Sequence, residues 1–285
     1  MSKLSIVNLF LFLIVIVLSS VIYLSEETNT ALERLTPTNL EEITSINIRH
    51  NKNNTIIVKQ PDDQWQITQP INIAANNFRI NSILKLINAP VHNQYSLNDI
   101  DTHATGLETP ETLIQFNNIS IAFGITNPVT NLRYVKLGDS VYTIEDVYHP
   151  LLSSHFGTLV SLNLLPPNNN IEKLILTNQT ISKDDNGLWH SNNKISADTM
   201  VKTVQHWQQL QAFGVHEYVP RETLGEVFVY LENQQQPVSY VITDTDPWLI
   251  IARPEIGLEY HLDIEAYNLL INPVDSSIKV KDLIE

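Results

Sequence analysis

The chain has 285 residues, no Cys, 17 Lys and Arg against 31 Asp and Glu, and 43% hydrophobic residues, so it can bury a sizeable core and is not a disordered polyanion-like tail. The net charge of −14 argues against a nucleic-acid binder, because phosphate neutralisation needs a basic face. The absence of Cys excludes disulfides, a thiolate nucleophile, Cys-ligated zinc, iron–sulfur clusters and a lipidated Cys.

Residues 4–24 carry no charge, and at about 1.5 Å per helical residue they match a hydrocarbon core of roughly 30 Å. The spacing predicts a transmembrane anchor over 1–24 rather than a cleaved signal, since no small-residue cleavage site stands near Ser19-Ser20 or Ser25. Lys3 precedes the span and Glu26 and Glu27 follow it, which predicts a cytoplasmic N-terminus and a periplasmic or extracytoplasmic region 25–285. Asn8 in this segment is a candidate contact for a neighbouring helix. Residues 25–42 are polar and acidic, a short stalk.

Residues 43–67 and 171–190 read alike: two β-type runs, a polar turn, then Trp65 or Trp189, with Asn186-Gly187 a tight-turn signal in the second. A helix is predicted after each Trp. Ile80, Ile83, Leu84 and Ile87 form one stripe, limited by Pro90; Ser196 is an N-cap, Met200, Val204 and Trp207 form the second stripe, and Gly214 stands where a C-cap belongs. Short strands follow in each series: TLIQF, SIAFGI, LRYVKL and SVYTI in the first, EVFVYL, PVSYVI, WLIIA and LEYHL in the second. EDVYHPLL at 145–152 and DIEAYNLLI at 263–271 read as short helices. The expected class is α+β: a membrane helix, then two tandem repeated units at 43–165 and 171–273, each an antiparallel sheet with a packed helix. PPNNN at 166–170 is the linker and 274–285 a tail that either adds an edge strand or stays frayed.

The ordered set Trp65 and Pro70, a helix, Gly106-Leu107 with Pro110, and a closing Val141-Tyr142 strand resembles the bacterial domain of unknown function 4340 family over roughly 35–270. The resemblance implies a membrane-anchored extracytoplasmic protein associated with ABC-type transport systems resembling gliding-motility components, with a permease and an ATPase as expected partners. It supplies no catalytic residues.

Local chemistry is sparse. There is no G-x-S-x-G, and with 8 Gly no Gly-rich phosphate loop can be found. The nine His residues show no H-E-x-x-H and no i, i+4 pair; His216-Glu217, ten residues after His206, comes nearest to a ligand pattern. Asp99 with Asp101 and Asp244 with Asp246 read as turn acids. Accordingly no catalytic, cofactor or metal residue is assigned. Trp65 and Trp189 are expected to pack between sheet and helix, and Trp248, after Asp246-Pro247, is the candidate exposed contact for a partner. The expectation is a noncatalytic accessory or scaffold protein of the bacterial inner-membrane envelope. The alternatives are a small-molecule or metal-binding module using the groove between the units, and a hydrolase assembled from distant Asp, Glu and His.

Overall fold

The computed structural model describes residues 3–24, 32–167 and 169–275, with side chains in the first stretch at 8 and 10–20. Residues 1–33 and 34–285 are two compact units. The first holds helix α1 (Lys3–Leu24). Among the described residues no helix is long and apolar enough to cross a membrane. The expected transmembrane span is therefore corrected. Glu26, Glu27, residues 25–31 of the stalk and residues 276–285 of the tail lie outside the described residues.

The described residues from 34 onward are mostly β, which corrects the expected α+β class. The first sheet comprises β1 (Ser45–His50), β2 (Asn53–Lys59), β3 (Trp65–Gln69), β4 (Ile73–Ala74), β5 (Asn93–Ser96), β6 (Thr112–Phe116), β7 (Ile119–Thr126), β8 (Leu132–Leu137) and β9 (Ser140–Glu145). Its order is β4-β3-β2-β1-β6-β7-β8-β9-β5. The second comprises β10 (Ile171–Ile175), β11 (Thr180–Lys183), β12 (Trp189–Ser191), β13 (Gly214–Glu217), β14 (Gly225–Leu231), β15 (Val238–Asp244), β16 (Trp248–Arg253) and β17 (Leu258–Asp263). Its order is β12-β11-β10-β14-β15-β16-β17-β13. Apart from β4 the orders are the same, strand for strand.

Helix α2 (Asn77–Leu84) and the longer α4 (Ala197–Gln209) occupy equivalent places between the third strand and the far edge strand, and α3 (His149–Ser153) is one turn. These helices carry the predicted stripes: Ile80, Ile83 and Leu84 are buried, as are Met200, Val204 and Trp207. They are too short to form a layer comparable with sheets of nine and eight strands, so the periodicity located them correctly while overstating their share.

Three strands escaped the pattern. Every residue of β5 is exposed, and β5 is held by ladder hydrogen bonds to β9 rather than by burial. Likewise β4 is two residues long, and β13 begins at Gly214, the expected helix C-cap. The cap of α4 is instead Leu210 in extended conformation, its N–H donating to the His206 carbonyl.

One cluster of buried apolar side chains runs through both halves. In the first half Ile46, Ile48, Ile114 and Phe116 alternate inward from the central strands; in the second Leu174, Val227 and Val229 do the same. Residues 159–163 join the two. Leu159 O accepts from Asn76 N at 2.7 Å, Ser161 N donates to Ala74 O at 2.9 Å, and Leu162 O accepts from Ala212 N at 2.9 Å. The segment leading into each half also bridges the segment leaving its helix, Arg34 with Pro90 and Asn163 with Gln211.

Candidate functional site

A dense group of titratable and aromatic side chains lies at the β16-β17-β13 end of the second sheet. Strand parity gathers it. His261 pairs with Gly214 and Ile250, Glu259 with His216 and Ala252, and Asp263 with Trp248, so all eight share one face. The opposite face carries Leu258, Tyr260 and Leu262 into the core.

Glu259 is 2% exposed and accepts four hydrogen bonds: Val219 N–H at 3.1 Å, Arg221 Nη1 at 2.8 Å and Nη2 at 3.2 Å, and His261 Nε2 at 2.8 Å. Burial pushes its carboxyl up, and the bonds from Arg221, His261 and Val219 more than offset this, holding it below the ordinary carboxylate value. The His261 ring thus turns Nε2 to Glu259 and is oriented by that bond.

The ring of His216 stands 4.6 Å from that of His261. It fits there because residue 214 is Gly: a Cβ at that position would lie 2.6 Å from His216 Nε2. Burial first, and the neighbouring His261 second, hold the His216 imidazole below its ordinary value, with Glu259 opposing. Gly157, in the 3-10 turn Phe156–Leu159, lies against the His216 backbone, where its Cβ would stand 3.3 Å from the His216 carbonyl carbon. Beside it His155 Nδ1 accepts from Gly157 N–H at 3.2 Å, and burial lowers this imidazole too, against Glu217.

Above His261 stand Phe213 and Trp248, 53% and 48% exposed, packed edge to face at 5.5 Å between centroids. Their rings lie 6.1 and 6.4 Å from the His261 ring. A His held by a carboxylate is the orienting half of an acid–base catalyst. Here the rings around His261 are Phe213, Trp248 and His216, and the carboxylate is fully engaged by four donors. The accessible chemistry is an aromatic surface on a rigid polar base. Among the described residues no group of three or more His, Asp and Glu could hold a metal ion; His206 lies on α4, apart from the His216 strand.

The other residues singled out in the sequence are dispersed. Trp65 opens β3 and is 4% exposed; Trp189 opens the equivalent β12, half-buried, with Lys183 Nζ 5.8 Å from its ring centroid. Pro70 follows a cis bond and lines a cavity in the first half with His50 and His155. Gly106 and Leu107 dock on β7: Gly106 has φ +70°, Leu107 is buried, and Thr105 O accepts from Ile125 N–H at 2.9 Å. Gly124 completes this contact, since a Cβ there would meet Thr105 O at 2.2 Å. Pro110 sits before β6, Tyr142 lies half-buried on β9, and Asn8 lies on α1, in the other unit. Of all these only Trp248 belongs to the aromatic face. Sequence reasoning missed Phe213, Arg221, Glu259 and His261, and the available signal was an acid inside the otherwise apolar strand LEYHL with a His two residues on.

No curated protein and no solved structure matches the chain. A family model described as "Domain of unknown function (DUF4340)" matches residues 65–227. That is more than half of the sequence, and the chain belongs to the DUF4340 family.

Proposed function

We propose that the protein is a noncatalytic accessory or scaffold protein of a bacterial envelope complex, engaging its partner through the Phe213–Trp248 face. The observation that carries this reading is the disposition of the cluster around Glu259 and His261. Its carboxylate is consumed by four internal hydrogen bonds, while two large aromatic rings stand half exposed above it. Exposed aromatics on a rigid support are what protein interfaces enrich. Placement in the envelope, and an ABC-type permease and ATPase as partners, rest on the resemblance to the family.

The test is affinity recovery of the full chain from its native membranes, with Phe213→Ala/Trp248→Ala in parallel. A partner recovered with the unaltered chain and lost with the double variant, at unchanged thermal stability, supports the reading. Equal recovery with both, or none with either, overturns it.

A further inference from the structure

A cavity of about 430 Å³ opens between the two halves, in the size range of small-ligand sites. Its walls come from three stretches: Ile71 and Ile73 beside β4, Val160 with Leu164 and Leu165 of the connecting segment, and Val238, Ile256 and Tyr260 of the second half. These walls are apolar and belong to or pack against the continuous core, so the cavity is bounded by fixed side chains. Amide side chains, among them Asn72 and Gln234, stand around the lining.

One charged residue is among the described lining residues, Arg253 at the end of β16. Its side chain is 18% exposed. Nε donates to Glu255 Oε1 at 2.8 Å, which fixes the plane of the guanidinium, and the Tyr240 ring lies 5.9 Å from its central carbon. Glu255 is 48% exposed and is the carboxylate partner found for Arg253 among the described residues. The bond to Glu255 uses the Nε edge of the fork, and the Tyr260 hydroxyl also takes a hydrogen bond from the Arg253 side chain, so an incoming carboxylate would share the guanidinium with that hydroxyl and with Glu255.

We propose that this cleft binds a small carboxylic acid with a short apolar chain, the carboxylate on the Nη groups of Arg253 and the chain against Ile71, Ile73, Val160 and Val238. The fork geometry suits a carboxylate, and the apolar walls suit the rest of the molecule. A ligand with a second charge finds no partner there, because the remaining lining residues are neutral. The net charge of −14 repels anions at range but is screened beyond about 8 Å at physiological salt, whereas the guanidinium acts in contact. The site is separate from the aromatic face, so either proposal stands or fails alone.

The probe is hexanoate, with hexan-1-ol as its uncharged counterpart, titrated calorimetrically into the full chain and into Arg253→Gln. Methyl spectra of the isoleucine-labelled chain locate the ligand. Hexanoate is expected to bind the unaltered chain at least about tenfold more tightly than it binds Arg253→Gln, and at least about tenfold more tightly than hexan-1-ol binds. The methyl signals of Ile71, Ile73 and Ile256 are expected to shift. Arg253→Lys keeps the charge but not the fork, and should fall between the two. It also serves as the folded control should the Gln variant melt early. Equal affinity for hexanoate and hexan-1-ol, undiminished binding by Arg253→Gln, no binding up to about 10 mM, or shifts confined to other isoleucines would each overturn the proposal.

Discussion

Replacing Glu259 by Ala removes the acceptor shared by Val219 N–H, Arg221 and His261. Arg221 is 31% exposed at its side chain and can turn to water, so its share is discounted. The His261 side chain is 15% exposed, and its Nε2–H and the Val219 N–H lose their partner in a half-buried setting. Each deserted donor costs about 1–3 kcal/mol, so the variant should lose about 3 kcal/mol. At about 2–4 °C per kcal/mol this lowers Tm by about 6–12 °C. Urea unfolding at pH 7, followed by circular dichroism, measures it. The pH dependence has a definite sign. Because the folded-state carboxyl lies below its ordinary 4.5, the contribution is fully present above that value and is lost as pH falls through the lower folded pKa. The gap between Glu259→Ala and the unaltered chain should therefore close in acid. A loss under about 1 kcal/mol at pH 7, or a gap that widens below pH 4.5, would refute the account of Glu259 as a fully engaged structural carboxylate.

Other expectations follow from equally local contacts. His149, His155 and His216 are all held below 6.5, chiefly by burial, so the unfolded chain takes up protons first and stability should fall as pH drops below that value. A urea midpoint that stays level between pH 7 and about 5.5 contradicts this. Gly124→Ala forces a Cβ to within 2.2 Å of the Thr105 carbonyl, a backbone atom that no rotamer change relieves, and should cost about 2–3 kcal/mol in the same assay. Trp207→Phe keeps a ring beside Tyr240 but deletes the bond from Trp207 Nε1 to Leu270 O at 3.0 Å, for a loss of about 1–3 kcal/mol. An unchanged melting temperature would mean that water replaces it.

The parts of the fold visible in the sequence are those where burial writes a period. Thr112–Phe116 alternates buried and half-buried residues along its length, and Ser196 caps α4 by accepting from Thr199 N–H at 3.2 Å, as its position before the Met200-Val204-Trp207 stripe predicts. The repeat was legible because Trp65 and Trp189 open the third strand of their sheets. Polar edge strands leave no such trace: Asn93–Ser96 is a strand through its pairing with Ser140–Thr143 alone. The class was misjudged because two short amphipathic helices stand out in a sequence more sharply than the strands around them. The aromatic face was hidden for a different reason. It is assembled by register across β16, β17 and β13, and by a glycine whose role is to vacate space for the His216 ring rather than to bend the chain.

The position of β1 has a consequence for synthesis. The first strand made in each half ends in the middle of its sheet, β1 between β2 and β6, β10 between β11 and β14. As the chain emerges, β1 can zip to β2 at once, while the backbone edge that will pair with β6 waits for Thr112–Phe116 to be translated. At about 5–20 residues per second that side stays bare for seconds. A finished chain refolding from denaturant has β6 and β14 present together with both β1 and β10, which occupy equivalent places in the two sheet orders. On the ribosome β6 is complete before β10 exists, so the nascent chain can close the β1–β6 pairing before a strand of the second half is there to compete.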